Sequence, residues 1–130
     1  KLQRAKEELK KVETDIVLPE KMNLHSFDFN VIVGNLLDNA IAASIRTDER
    51  FLKLCIRMEN GILFLYMANS CMGIPEGVCE IRRLSEKSLA GHGIGLTNVQ
   101  RIVEKYHGDM EMHCKDNHME TEIMLYMKNL

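Results

Sequence analysis

Two asparagines four residues apart are the first candidates for chemistry in this chain. Asn35 and Asn39 lie in a run from about Phe27 to Arg46 whose apolar residues recur every three to four positions, which predicts one long helix. Residues four apart project from the same side of a helix, so the two amides stack there. Asparagine is a poor helix former. The pair therefore indicates either a ligand site or a buried hydrogen-bond network.

Three alternating glycines form the second candidate. Gly91, Gly93 and Gly95 stand directly before a helical period that begins at Leu96. Glycine lets the backbone approach a ligand, and a helix N-terminus offers free N–H groups at the positive end of the dipole, so the string suits phosphate binding. It is neither the GxGxxG of a dinucleotide-binding turn nor a Walker A loop. A flexible hinge without a ligand is the alternative.

The other titratable residues give weaker indications of a functional site. Asp38 points about 100° away from Asn39 on the helix and is interpreted as a hydrogen-bonding or surface residue. His25 precedes the helix and is interpreted as a surface or capping residue. Four residues could suggest zinc but lack a recognised ligand spacing, so no zinc site is predicted from them: His107, His113, Cys114 and His118.

Length and composition describe one ordinary globular domain. The chain has 130 residues, of which 45% are hydrophobic and 28% charged. A net charge of -2 argues against nucleic acid as a partner, and no apolar run approaches the ~20 residues that span a bilayer. The four cysteines have no CxxC spacing and suit a reducing cytosol. Because Lys1 is not an initiator Met, we expect a fragment of a longer protein.

The elements that must position these residues follow from periodicity and turn signals. The N-cap of the long helix is expected at Ser26 or Asp28, and Gly108 is expected to cap the last helix. Glycines and Pro75 mark a long irregular stretch from Asn69 to about Gly95. The predicted order is a helix over Lys1–Val12, a strand over Thr14–Leu18, the long helix, strands over Phe51–Met58 and Ile62–Ala68 joined at Asn60-Gly61, a short helix over Glu76–Leu84, a helix over Leu96–His107, and strands over Asp109–Lys115 and Glu120–Met127 joined at Asp116-Asn117.

These motifs, in this order, resemble the ATP-binding domain of the GHKL superfamily over about residues 14 to 127. The string NLLDNAIAAS resembles the asparagine box of sensor histidine kinases, and GHGIGLTNVQ resembles their last glycine box. Between them, the string from Ala68 to Pro75 stands where the family has an Asp-x-Gly-x-Gly box. The fold that this resemblance implies is α+β: a two-layer sandwich with a mixed, mostly antiparallel sheet of about five strands and helices on one face.

The resemblance also implies roles for individual residues. Asn39 matches the asparagine whose amide oxygen helps to hold Mg²⁺ against the nucleotide phosphates. Asn35 matches the position at which the superfamily's ATPases carry a water-activating Glu; an amide cannot accept that proton, which favours transfer to a protein over hydrolysis. Lys87 could reach the phosphates, or it could be a solvated loop charge. The catalytic residues expected are Asn35 and Asn39, and the nucleotide-binding residues expected are Asn35, Asn39, Asn69, Gly73, Ile74, Lys87, Gly91, His92, Gly93, Ile94, Gly95 and Leu96.

One residue departs from the family pattern. The Asp that reads adenine is here Asn69, which still offers an acceptor but loses the charge that strengthens the bond. Asn-Ser-Cys at this point is similar to the peptide-sensing, quorum-sensing-type histidine kinases. The departure, with the unusual Cys71-Met72 pair, leaves open a degenerate docking module without nucleotide.

The resulting hypothesis is the catalytic domain of a two-component sensor histidine kinase, with ATP and Mg²⁺ as cofactors. Residues 1–13 would end a preceding dimerisation and phosphoacceptor segment that carries the substrate histidine, and residues 14–130 would form the ATP-binding domain. The expected partners are that segment, in a full-length homodimer, and a response regulator. The expected location is the cytoplasmic part of a membrane-bound bacterial sensor. An anti-sigma-factor type Ser/Thr kinase of the same fold is the alternative.

Overall fold

The computed structural model describes residues 2–19, 24–72, 80–83 and 94–127, and these form nine elements in one sheet and one helical layer. In chain order they are α1 (Leu2–Glu8), β1 (Lys11–Val17), α2 (Ser26–Ser44), β2 (Phe51–Glu59), β3 (Ile62–Ser70), β4 (Glu80–Arg83), α3 (Ile94–Lys105), β5 (Asp109–Lys115) and β6 (His118–Tyr126).

The sheet has the strand order β1-β2-β3-β6-β5-β4. Only β1 and β2 run parallel among these ladders; the other neighbours are antiparallel. The predicted α+β class and mixed, mostly antiparallel sheet are confirmed, with six strands where about five are predicted. The predicted central position of the apolar strand is also confirmed, because β3 lies between β2 and β6.

One hydrophobic core joins the sheet to the helices. Alternate residues of β2 and β3 point into it because successive side chains of a strand face opposite sides. Helix α2 buries one stripe against them, and α3 adds a second. The central members of this core are Ile32, Leu37, Ile41, Leu52, Leu54, Leu63, Leu65, Val99 and Val103.

Both predicted hairpin turns are present. Asn60 and Gly61 have φ of 50° and 76°, and Asp116 and Asn117 have φ of 52° and 61°. Two successive positive φ values are typical of the type I′ turn, whose twist matches that of the flanking strands. The turn chemistry therefore fixes the β2–β3 and β5–β6 registers locally.

The N-terminal helix is shorter than its period predicts. It ends at Glu8, and Lys11 already begins β1, so the prediction of a helix to Val12 is wrong. The backbone N–H groups of Lys10 and Lys11 donate to the carbonyl of Arg50 at 3.0 and 3.2 Å, which starts the parallel pairing with β2. Tertiary pairing thus overrides the helical period of this charged segment.

Helix α2 begins at a cap other than those predicted. Nδ1 of His25 accepts a hydrogen bond from the backbone N–H of Phe27 at 3.1 Å, so His25 is the N-cap instead of Ser26 or Asp28. The interpretation of His25 as a capping residue is confirmed. Asp28 is instead buried, because its carboxylate faces α3.

Helix α3 ends in a Schellman motif one residue earlier than predicted. The left-handed residue is His107, with φ of 56°, and not Gly108. The N–H of Gly108 donates to the carbonyl of Val103 at 2.8 Å, and that of His107 to Glu104 at 3.0 Å. Gly108 has a different reason to be glycine, because a Cβ there would lie 2.1 Å from the carbonyl oxygen of Met124.

The short helix predicted over Glu76–Leu84 is wrong where it can be compared. Residues Glu80–Arg83 form β4, which pairs antiparallel with β5 from Glu80 opposite Cys114 to Arg83 opposite Glu111. The open edge of β5 offers backbone hydrogen bonds that a local sequence pattern does not reveal.

In the described part of the chain, no helix is long and apolar enough to cross a membrane.

Candidate functional site

Asn35 and Asn39 lie at the edge of the buried face of α2, outside the hydrophobic core. Asn39 is exposed and Asn35 is half-buried, whereas the neighbouring Leu36, Leu37 and Ala40 are buried. The Nδ2 of Asn35 donates to the carbonyl of Val31 at 2.8 Å, a bond within the helix. The amide nitrogen of Asn35 is thereby occupied, and its oxygen is the end that points away from the helix backbone.

The first turn of α3 meets α2 at Asn35. A Cβ on Gly95 would lie 2.8 Å from Oδ1 and 3.3 Å from Cγ of Asn35, which is closer than side chains normally approach. Only glycine therefore fits here without displacing the amide. Leu96 follows, half-buried against the core. The structure thus brings the last glycine of GHGIG together with Asn35, the first asparagine of the predicted pair.

Asn69 lies at the end of β3, where it is 5% exposed. It pairs in the sheet with Leu52 on one side and Met119 on the other. Its Nδ2 donates to the carbonyl of Ser70 at 3.0 Å. This bond orients the amide so that the side-chain oxygen is the remaining acceptor.

Ser70 is a hydrogen-bond hub that the sequence does not reveal. Its Oγ lies 2.7 Å from Oγ of Ser44 and 2.9 Å from Oγ1 of Thr47, and it accepts from the backbone N–H of Phe51 at 3.0 Å. These bonds tie the end of α2 to the ends of β2 and β3, beside Asn69. Small polar residues near a helix end are typical of an ordinary cap or turn, so the sequence does not predict this hub.

A second missed cluster joins the start of α2 to the end of α3. The carboxylate of Asp28 accepts from Nζ of Lys105 at 2.8 Å and from the hydroxyl of Tyr106 at 2.7 Å. The hydrogen bond from Lys105, then that from Tyr106, lowers the pKa of Asp28 in spite of its burial. The hydroxyl of Tyr106 also accepts from the backbone N–H of His25 at 3.2 Å. The cluster therefore holds the start of α2 against the end of α3.

Half of the predicted nucleotide-binding residues can be placed. Asn35, Asn39, Asn69, Gly95 and Leu96 are described above, and Ile94 begins α3. The others lie outside the described residues: Gly73, Ile74, Lys87, Gly91, His92 and Gly93. Of those described, Asn35 and Gly95 are in contact, while Asn69 lies at the sheet end near the hub.

A sequence model of the GHKL domain matches residues 24–126, which include every element from α2 to β6. The chain belongs to the GHKL domain family. Among curated relatives, this GHKL domain is 36% identical over 114 residues to a probable C4-dicarboxylate sensor kinase of Halalkalibacterium halodurans, covering 84% of the chain and 21% of that protein. It is 31% identical over 102 residues to the sensor histidine kinase DpiB of Escherichia coli, covering 72% of the chain and 18% of that protein. The chain thus spans about a fifth of the length of these relatives.

Solved structures agree with the fold. The GHKL domain superposes on the histidine kinase AdeS of Acinetobacter baumannii with a TM-score of 0.71 at 19% identity, over 98% of the chain and 60% of that structure. It superposes on the catalytic domain of the histidine kinase ThkA with a TM-score of 0.70 at 17% identity, over 97% of the chain and 84% of that structure.

Proposed function

We propose that this GHKL domain binds Mg-ATP and serves as the catalytic domain of a sensor histidine kinase, transferring the γ-phosphoryl to a histidine on another domain. The observation that carries the proposal is the exposed amide face of α2, which meets the glycine at the start of α3 in the contact between Asn35 and Gly95. The names of the two curated relatives, both sensor kinases, support the reaction class.

Asn39 is the proposed Mg²⁺ ligand. Mg²⁺ prefers oxygen ligands and takes few from the protein, completing its shell with water and phosphate oxygens. An exposed amide on an uncovered helix face fits this requirement, because its oxygen can reach a hydrated ion without opening the core. When bound, the ion supplies neutralisation of phosphate charge.

Asn35 is the proposed reason for phosphoryl transfer instead of hydrolysis. Its nitrogen is committed to the carbonyl of Val31, and an amide oxygen is far too weak a base to deprotonate water. Neither Asn35 nor Asn39 can therefore act as a general base. The domain therefore contributes positioning and charge neutralisation, and the attacking group must come from a protein substrate.

Asn69 is the proposed contact to the adenine amino group. Its bond to the carbonyl of Ser70 leaves the side-chain oxygen as an acceptor, which is the group that an exocyclic amine requires. Because the acceptor is neutral, this contact contributes less than a carboxylate would. The finer assignment, to the peptide-sensing type of kinase, rests on the Asn69-Ser70-Cys71 string.

The remaining parts of the proposal concern the longer protein. Residues 1–13 are proposed to end a dimerisation and phosphoacceptor segment, and residues 14–130 to form the ATP-binding domain. The last three residues of the first part, from Lys11 to Glu13, already pair with β2 and so connect it to the sheet of the domain. The partners are that segment within a homodimer and a response regulator. The proposed setting is the cytoplasmic side of a membrane-bound bacterial sensor. The names of the relatives support a two-component system.

Thermal unfolding with ATP and ADP, with and without Mg²⁺, tests the nucleotide site. A ligand at a hundredfold its dissociation constant stabilises the folded state by about 2.7 kcal/mol. We expect a Mg-dependent rise of the midpoint that Asn39→Ala removes. Asn30→Ala is the matched control, because Asn30 is exposed on the same helix but lies about 180° around it from Asn39. No shift at millimolar nucleotide would contradict the catalytic proposal and favour a docking module.

A further inference from the structure

Two buried thiols lie side by side next to the predicted nucleotide site. Sγ of Cys71 and Sγ of Cys114 are 3.7 Å apart, and the two residues are 8% and 6% exposed. Both cysteines are reduced in this structure. A disulfide bond is about 2.05 Å long, so the sulfur atoms would have to approach by about 1.6 Å to form one.

The sheet topology explains why residues so distant in sequence meet. Strand β6 separates β3 from β5, and its Met119 pairs with Asn69 on one side and with Cys114 on the other. Just after β3 ends, the N–H of Cys71 donates to the carbonyl of Asn117 in the β5–β6 turn at 2.9 Å. This bond directs the chain across the end of β6 toward β5, which brings the two thiols together.

The two cysteines differ in how firmly their backbones are held. Cys114 lies within the sheet, paired with Glu80 of β4 and Met119 of β6. Cys71 lies beyond the last pair of β3, and among the described residues its backbone is held by the bond to the β5–β6 turn. Closing the gap between the sulfur atoms would therefore displace Cys71 more than Cys114.

Cys71 also borders a surface cleft, which is the side from which an oxidant would approach the pair. Cys71 lines a surface cleft of about 390 Å³ that continues along Arg46, Glu49 and Met72. Burial, together with the neighbouring thiol of Cys114, raises the pKa of Cys71 to about 11, so this thiol is protonated at neutral pH. The reactive thiolate of Cys71 is therefore scarce at neutral pH, so we expect its reaction with an oxidant to be slow.

We propose that Cys71 and Cys114 form a reversible disulfide when the protein meets a low-molecular-weight disulfide, and that this cross-link weakens nucleotide binding. One cysteine thiolate attacks the oxidant disulfide and releases one small thiol; the second then attacks the mixed disulfide and releases the other. Two protein S–H bonds and one S–S bond break, while one protein S–S bond and two small-molecule S–H bonds form. An excess of a dithiol reverses the sequence.

The coupling to nucleotide rests on the proposed function of the domain. Cys71 stands two residues after Asn69 and two before Gly73, both proposed to contact nucleotide. Cys71 directly follows Ser70, whose hydrogen bonds hold this part of the chain to α2, so displacement of Cys71 strains the segment that carries Asn69. We expect the cross-link to lower the affinity for Mg-ATP at least threefold.

The first experiment decides the cross-link without reference to nucleotide. The protein is incubated with glutathione disulfide, cleared of reagent, and alkylated in denaturant, and its mass and peptides are analysed. We expect two of the four cysteines to escape alkylation, and a peptide pair that joins Cys71 to Cys114. Cys55→Ser, a change in the middle of β2, should leave the cross-link intact, whereas Cys114→Ser and Cys114→Ala should each abolish it. Alkylation of all four cysteines, or a cross-link to Cys79 or between molecules, would overturn the proposal.

The second experiment decides the coupling. Mg-ATP affinity is measured on the reduced protein, the oxidised protein, and the oxidised protein after treatment with a dithiol. A loss on oxidation that the dithiol restores, and that is absent in Cys114→Ser, supports the proposal. Unchanged affinity in a fully cross-linked protein refutes the coupling. If the reduced protein binds no nucleotide, the proposed function fails while the mass analysis still decides the cross-link.

Discussion

Replacing Gly95 with alanine should change the stability of the protein by an amount that depends on residue 35. Alanine is favoured over glycine inside a helix by roughly 0.5–1 kcal/mol. The new Cβ would lie 2.8 Å from Oδ1 of Asn35, so that side chain must move and give up its 2.8 Å bond to the carbonyl of Val31. Such a bond contributes about 0.5–1.5 kcal/mol. The two effects oppose each other, so Gly95→Ala alone should leave the unfolding free energy nearly unchanged.

The same change behaves differently once Asn35 is gone. In an Asn35→Ala background the space is free, and Gly95→Ala should stabilise the protein by roughly 0.5–1 kcal/mol. Urea unfolding of the four proteins of this double-mutant cycle should give a coupling energy of about 1 kcal/mol. A parallel cycle with Asn30→Ala, exposed on the same helix, should give none. Equal effects of Gly95→Ala in both backgrounds would refute the contact between α2 and α3 on which the proposed site rests.

Three further changes test the structure around the site. Asp28→Asn should cost about 1–2 kcal/mol at neutral pH. Because folding lowers the pKa of Asp28, this contribution is present above the ordinary pKa of 3.8 and is lost as the pH falls through the folded-state pKa. The unfolding free energies of the two proteins in urea should therefore converge in acid. Gly108→Ala should destabilise the protein by about 2–3 kcal/mol, because its Cβ would lie 2.1 Å from a backbone oxygen. His107→Gly should stabilise it by roughly 0.5–1 kcal/mol, because glycine relieves the positive φ. Stability changes of the same sign for both variants in thermal unfolding would contradict the Schellman motif. Ser70→Ala should cost about 1–3 kcal/mol in urea unfolding, because the part-buried N–H of Phe51 loses its acceptor. Ser70→Thr keeps the hydroxyl and should restore part of this loss.

Local patterns were sufficient where one element is fixed by its own sequence. The long helix, the two type I′ turns and the apolar central strand could all be predicted, because each combines a clear period with residues suited to its backbone. The contact of Gly95 with α2 was not predicted, because the glycine string was interpreted as an approach to a ligand and not to another helix. Placing Asn35 and Asn39 on one side of α2 needed only the helical repeat.

The failures share a physical cause, which is pairing with residues far away in sequence. Lys11 and Val12 carry a helical period, but β2 offers them a parallel partner. Glu80–Arg83 form a strand because β5 has an open edge. The cap of α2 was misassigned because Asp28, a good cap by type, is taken by Lys105 and Tyr106. The hub at Ser70 and the thiol pair were invisible for the same reason.

The bond of Asp28 to Lys105 and Tyr106 has a mechanical consequence for the two helices that carry the site. It joins the first turn of α2 to the end of α3. The contact of Asn35 with Gly95 joins α2 to the start of α3, at a point about 10 Å further along the axis of α2. Two separated contacts fix both the angle between α2 and α3 and the position of one helix along the other. Gly95 at the start of α3 is therefore held in place relative to α2, and the bonds of Asp28 at the other end of α3 contribute to holding it.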